Sequence, residues 1–527
     1  METIETVLIL LLFTGILSFL GRYLKIAHEI FLVIGGVFIG FLPGVREVKL
    51  APEVVFLIFL PPLLSYAAYY TSWREFKTYI RPISLLAIGA VLFTASAVAI
   101  TLKILIPEIP IAIAFLLGAV VSPPDASAVT AIVKNLNVPD RMITILEGES
   151  LINDATALVV FRFALKAVIL GSFSLFQASL QFFLVSIGGL LVGLGISYLN
   201  IEVRKRVDDL SLQLVIGLLT PFFAYIVAEH LQVSGVISTV VAGIFVSYKN
   251  PVISSPLYRR KSGSIWEMMI FIINSLAFIL IGLQLPSIFK SISVYPVSEL
   301  VILSIGVVSA VVIARFAWTF PAAFLPYLIP SIRRKERMPS WKAVFVTCFA
   351  GMRGIVSIAA ALAIPLYTDT STKFPFPYRD LVIFLTYIVV LVTLVVPGLT
   401  LPYLIKAFEL EKEGSQEQEE KDARIACAEA SLLALDQIPM DSKIAFSHID
   451  VLKQEYMNVI NKQSYRIPTE LATQSLHMEK EVIELKLDLI QRQRKLLINL
   501  RNKELIHDHV MLKIQSELDQ KELGLRS

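Results

Sequence analysis

From residue 6 to about residue 407 the chain is a series of near-continuous apolar runs separated by short polar breaks. Roughly 20 apolar residues of helix cross a bilayer. On that ruler the pattern predicts thirteen spans, at about 6–21, 29–43, 53–70, 83–103, 110–133, 142–170, 178–199, 210–229, 233–248, 265–288, 298–326, 341–366 and 380–405. After residue 407 the pattern changes. Glu409 to Asp422 is acidic and Gln-rich, and helical periodicity then marks about 419–437, 441–463 and 469–506. In the last of these Val482, Leu485, Leu487, Ile490, Leu496, Leu497 and Leu500 form an apolar stripe amid charge. The expected fold class is an all-α polytopic membrane protein, with a membrane domain over 1–407 and a helical, regulatory or dimerising tail over 408–527.

Composition agrees with that reading. Apolar residues make up 56% of the chain, charged residues 17%, and the mean hydropathy is +0.72, whereas a soluble protein carries about 25% charge. Residues 1–407 hold 30 basic and 21 acidic side chains, a charge of +9, and the tail holds 17 and 22, a charge of −5. The positive charge is scattered over short loops and forms no single stripe, so nucleic acid is not expected as a partner. Counted loop by loop, nineteen Lys/Arg fall in the odd-numbered connections and six in the even ones. Basic loops stay cytoplasmic, which puts the N-terminus outside and the tail inside a cell membrane. Cys348 and Cys427 make no disulfide framework. The opening METIETVLILLLFTGILSFLG lacks a basic leader and a small-residue cleavage site, and reads as a retained first span.

Polar groups at mid-bilayer cost several kcal/mol unless they face a cavity or a partner, so they are where function is sought. The fifth span, IAIAFLLGAVVSPPDASAVTAIV, carries Ser122, Pro123, Pro124 and Asp125 at its centre. Tandem prolines remove backbone donors and should break the helix there. Carbonyls freed beside a carboxylate make a set of hard oxygen ligands suited to a small cation. A packing kink would explain Pro-Pro alone but not the adjacent Asp125. The sixth span contains GESLINDATALVVFRFAL. Taking Glu149 as zero, Asn153 falls at about 40°, Ser150 at about 100° and Asp154 at about 140°, so four polar groups share one face. Ser150 and Asp154 stand one turn apart, within reach of one ion. A hydrogen-bonded seam between helices would account for Ser150 and Asn153, though not for two carboxyls.

A third break is expected in the twelfth span, VTCFAGMRGIVSIAAALAIPL, where Gly351 and Gly354 bracket Arg353. Spans five and twelve are seven apart, and an odd offset reverses direction across the membrane. Interrupted spans at matching places in two inverted halves signal a secondary transporter with its site at the midplane. A buried arginine demands a carboxylate, and Glu149 is the partner expected for Arg353. Arg162 and Arg315 are read as structural, either snorkelling or pairing with Glu267. His28 and His230 sit at span ends and read as interfacial, and Tyr66, Tyr69, Tyr70 and Trp73 read as an aromatic belt. His507 and His509 are two apart and do not share a helix face, so no metal site is expected there. No cofactor motif appears.

The stretch SPPDASAVTAIVKNLNVPDRMITILEGESLINDATALVVF resembles the Asn-Asp branch of the monovalent cation:proton antiporters, the NhaP/NHE-type sodium/proton exchangers, and GMRGIVSIAAALAIP is similar to their arginine-bearing crossing helix. The resemblance covers about residues 1–405. It implies about thirteen transmembrane helices in inverted repeats, two of them discontinuous and crossing, with a dimerisation domain and a mobile core, and a homodimer in the bilayer. It also implies site roles: Asp154 as the cation- and proton-binding carboxylate, Asn153 as its partner, Asp125 and Ser150 as co-ligands, and Glu149–Arg353 as a structural pair. Two departures stand out. Many relatives read T-D-P where this chain has Pro124-Asp125-Ala126, so the Pro124 carbonyl stands in for a threonine ligand. Some relatives carry Phe-Glu in the third span where this chain has Ser65-Tyr66, which leaves Na⁺ versus K⁺ preference open.

The expected function is exchange of cytoplasmic Na⁺ or Li⁺, with K⁺ left open, for external H⁺. A carboxylate desolvated at the midplane holds its proton near neutral pH, and a cation that binds it must displace that proton. The alternative is a passive or pH-gated cation channel. An intramembrane protease is not expected, since neither a Tyr-Asp with Gly-x-Gly-Asp pair nor Gly-x-Ser-Gly with His occurs.

Overall fold

The computed structural model describes residues 2–24, 28–42, 55–125, 129–130, 133, 138–171, 175–335, 338–369, 374–410, 415–437, 446–464 and scattered positions between 484 and 525. Two compact units emerge, Met1–Lys412 and Glu413–Ser527. The division falls five residues beyond the expected 407/408 boundary. The last membrane helix runs on to Phe408, and Leu410 is still buried in the first unit's core.

The first unit is built of helices because a backbone in hydrocarbon must satisfy its own hydrogen bonds. In chain order they are α1 (Glu2–Leu24), α2 (His28–Gly40), α3 (Leu60–Tyr70), α4 (Trp73–Thr78), α5 (Ile80–Ser84), α6 (Val91–Leu105), α7 (Ile111–Val121), α8 (Asp140–Leu170), α9 (Leu175–Lys205), α10 (Leu210–His230), α11 (Gly235–Ile253), α12 (Pro256–Leu283), α13 (Leu285–Ser291), α14 (Val297–Phe324), α15 (Pro330–Lys335), α16 (Trp341–Phe349), α17 (Ile355–Leu362) and α18 (Arg379–Phe408). Among the described residues, seven helical stretches are long and apolar enough to cross a membrane, including Ile80–Leu105, Pro256–Ser291 and Val297–Leu328. The 31-residue α8 is not one of them. It carries Glu147, Glu149, Asp154, Arg162 and Lys166, so the charges that make it chemically interesting are those that lower its hydropathy.

Polar residues set the helix starts. Asp209 Oδ1 accepts from Leu212 N at 2.8 Å, and the hydroxyls of Ser234, Ser255 and Ser340 each accept at 3.2 Å from the amide three residues on. Two π-helical turns, Val55–Phe59 and Leu85–Ala90, widen the third and fourth spans. In the second, Trp318 Nε1 donates to Leu85 O at 2.9 Å, taking a carbonyl out of the local ladder. Gly36 and Gly282 bring α2 and α12 into backbone contact. A Cβ on either would lie 2.3 Å from a carbonyl oxygen of the other helix. One departure from an all-α fold is small: Tyr367–Asp369 pairs antiparallel with Phe374–Pro375 in the connection between α17 and α18. Aromatic and β-branched residues there extend the chain, and Phe376 is buried beneath it.

Two apolar clusters organise this unit. The larger gathers buried residues from many elements, among them Val98, Leu116, Val120, Ile279, Val346, Ile358 and Leu385. The smaller holds Leu60, Leu64, Ala68, Leu151, Ala155, Tyr225, Val236 and Val240. Helix α8 contributes to both, with Leu146 and Phe161 in the first and Leu151 and Ala155 in the second. In the second unit, α19 (Ser415–Asp436) and α20 (Phe446–Ser464) occupy the first two predicted tail helices, with Lys453 Nζ 2.5 Å from Asp436 Oδ1. Most of the predicted 469–506 segment lies outside the described residues, though Ile490 from its stripe is buried with Leu518.

Candidate ion-binding site

The proline pair ends α7 where its chemistry requires. The helix stops at Val121, and Ser122–Asp125 are non-helical. Across from it, α16 stops at Phe349, and residues 350–354 lead into α17. The two breaks are joined directly. Asp125 N donates to Met352 O at 2.7 Å, and Arg353 Nε donates to Val121 O at 3.1 Å. Arg353 Nη1 also donates to Gly351 O. One guanidinium therefore satisfies carbonyls freed by both interruptions. Gly354, at the N-cap of α17, lies against the Asp125 carboxylate, and a Cβ there would come 1.8 Å from Oδ2. Only glycine allows this approach. It places a carboxylate at a helix N-terminus, where the dipole favours negative charge.

Helix α8 presents its polar face to this junction. Glu149, Asn153 and Asp154 are buried and Ser150 half-buried. Asn153 Nδ2 donates to Pro124 O at 2.9 Å. A carbonyl only accepts, which fixes the amide orientation and leaves Asn153 Oδ1 buried without a hydrogen-bond partner among the described residues. Asp154 lies in the electrostatic field of Asp125. Among the described residues no hydrogen bond or ion pair reaches its carboxylate. A buried carboxylate in the field of a second, half-buried one is favoured by a proton or a cation that offsets its charge. The carboxylates, the Pro124 carbonyl and Asn153 Oδ1 are all hard oxygen donors, the type of ligand a small monovalent cation takes.

The comparisons with known proteins point the same way. A family model described as "Sodium/hydrogen exchanger, transmembrane" matches residues 8–407. The chain belongs to the sodium/hydrogen exchanger family. An uncharacterised Na⁺/H⁺ exchanger of Mycobacterium tuberculosis is 32% identical over 515 residues, covering 96% of this chain and 93% of that protein. A sodium, potassium, lithium and rubidium/H⁺ antiporter of Bacillus pumilus is 32% identical over 444 residues, covering 82% and 65%. The fold matches that of the sodium proton antiporter MjNhaP1 of Methanocaldococcus jannaschii, with a TM-score of 0.62 at 17% identity, covering 78% of this chain and 99% of that one. A member of that family is a multi-pass membrane transporter and not an enzyme.

Within the exchanger, three sequence expectations are corrected. Glu149 pairs with Arg315, not Arg353: Arg315 Nη2 donates to Oε2 at 2.8 Å and Nη1 to Oε1, a bidentate fork with the two side chains 2% and 1% exposed. Both guanidiniums flank Gly351, but Arg315 on the continuous helix α14 takes the carboxylate, while Arg353, in unwound backbone, is held by carbonyls. Neither Arg162 nor Arg315 pairs with Glu267, because Arg315 is taken by Glu149 and Arg162 pairs with Glu229 at 2.9 Å. Tyr66 and Tyr69 do not form a lipid-facing belt. They line a cavity with Ser65, Thr220, Tyr258 and Trp266, while Tyr70 and Trp73 are exposed. One residue went unread in the sequence: Glu29, in the first turn of α2, is buried and within the field of Asp125. Its sequence signal was an acid inside an apolar run, masked by its place near a span end.

Proposed function

We propose that this exchanger moves cytoplasmic Na⁺ or Li⁺ outward for external H⁺, one for one, by competition of cation and proton for Asp154. The observation that carries this reading is the buried Asp154 carboxylate, free of protein partners among the described residues, beside Asp125, Asn153 and the Pro124 carbonyl at the meeting of two broken helices. A single group that takes either a proton or a cation couples the two fluxes, provided only its loaded states cross. Asp125 remains ionised as a co-ligand, supported by the α17 N-terminus, and Ser150 adds a hydroxyl. K⁺ is kept within the proposed cation range by the relative named for sodium, potassium, lithium and rubidium. The architecture proposed with it has thirteen spans in inverted repeats, the N-terminus outside, a cytoplasmic regulatory tail, and a homodimer in the plasma membrane.

The test is cation-driven proton flux in proteoliposomes at several pH values. Asp154→Asn abolishes coupled exchange. In the unmodified protein the apparent Michaelis constant for Na⁺ falls about tenfold per pH unit on the acid side, where the proton must be displaced, and levels off once the site is deprotonated. Residual coupled exchange in Asp154→Asn, or an affinity indifferent to pH, assigns the proton to another group. Cation flux without proton flux would make the protein a channel.

A further inference from the structure

Outside the ion site, charge, cavity and packing coincide at the seam between α8 and the α10–α11 pair. There α8 meets α3, α10 and α11 through the smaller apolar cluster, separate from the main core. Arg162 lies two turns past Asp154 on α8, and its Nη2 donates to both carboxylate oxygens of Glu229 on α10 at 2.9 Å. Glu229 Oε1 also accepts from Gly235 N, the first residue of α11, at 3.4 Å. A cavity of about 70 Å³ is bounded by Ala155, Leu158 and Arg162 on one side and by Tyr225, Glu229 and Val236 on the other. Ala155 follows Asp154 in sequence and Leu158 stands one turn past it, so the cavity lies along the stretch of α8 between the ion-binding carboxylate and Arg162.

We propose that the Arg162–Glu229 pair is a gate: it latches α8 to α10 across the seam, closes the cavity leading toward Asp154, and opens when the ion site turns to that face. The inference rests on the exchange reading above and adds the group that controls access on one side. The chemistry suits a gate better than a brace. The side chains are 48% and 33% exposed, and an ion pair in contact with water biases an equilibrium only a few-fold and is screened by salt. Such a pair breaks readily in each cycle. Beneath it the contact is apolar and small, so opening exposes little that is buried polar. On the proposed orientation, with α10 ending outside, the gate faces the exterior.

Leu158→Cys in a Cys427→Ser background reports the state of the cavity through its reaction with a membrane-impermeant thiol reagent applied from either face of vesicles. Cys348 is buried and does not compete. The gate predicts slow labelling in the parent, labelling about two- to fivefold faster in Arg162→Gln or Glu229→Gln, and a return to the parent rate in the charge-swapped Arg162→Glu/Glu229→Arg protein. Raising ionic strength with choline chloride speeds labelling in the parent but not in Glu229→Gln. Val236→Cys on the opposite wall serves as a second reporter if Leu158→Cys folds poorly. Equal rates in parent and single variants, or a parent rate indifferent to salt, would overturn the gate. Labelling needs no exchange activity, so a gate that responds as expected in a protein whose Asp154→Asn form still exchanges would refute the ion-site reading alone.

Discussion

Among single residues, the buried arginines carry the sharpest expectations. Removing Arg315 leaves Glu149 charged and unpaired in the core, at a cost of about 3–5 kcal/mol. Arg353→Ala strands no charge: it takes the guanidinium away with its bonds and leaves only two neutral carbonyls, which water entering the break can satisfy. Thermal unfolding of purified protein in detergent should therefore show a larger loss for Arg315→Ala than for Arg353→Ala. The opposite order would restore the Glu149–Arg353 link expected from sequence. Arg315 was visible as an arginine amid an apolar span, and its need for a carboxylate followed from physics. Which carboxylate was not visible, because Glu149 is 166 residues away and two arginines compete for it.

At the level of the elements, the breaks in the fifth and twelfth spans were legible because their causes are local: Pro123-Pro124 cannot donate, and Gly351 and Gly354 do not hold a helix. How closely the breaks meet was not. Gly354→Ala places a methyl 1.8 Å from Asp125 Oδ2, so the carboxylate must move or the segments part. The apparent Michaelis constant for Na⁺ should rise roughly tenfold or more, a shift of about 1.4 kcal/mol in binding, with the protein still folded. Gly351→Ala, whose nearest neighbours lie at 3.3 Å, should have a milder effect. Equal effects of the two would detach Asp125 from the site. The π-helical turns at Val55–Phe59 and Leu85–Ala90 left no sequence signal, since one is tied to Trp318, more than two hundred residues on.

For the whole molecule, the one-for-one exchange proposed above, with Asn153 and not a second acid before Asp154, predicts that net charge does not move. Exchange by purified protein at a fixed pH gradient should not respond to an imposed membrane potential, and a potential-dependent rate would require another stoichiometry. The tail is a compact unit of its own, Glu413–Ser527. A chain ending at Lys412 should keep coupled exchange in proteoliposomes while its dependence on cytoplasmic pH shifts. Loss of all exchange on that truncation would place the tail in the transport machinery itself.

Sequence by itself determined the class of the protein and the residue types of its site. Long apolar runs dictate a helical membrane protein because hydrocarbon offers the backbone no other partner, and acids and prolines at mid-bilayer are too costly to be incidental. These constraints act on one residue or one helix at a time, so they can be read along the chain. Tertiary structure alone decided the pairings: Glu149 with Arg315, Asp125 against Gly354, Asn153 on the Pro124 carbonyl, and Arg162 with Glu229. Each joins different helices, and the energy of a pair depends on distance and burial that exist only once the helices have packed.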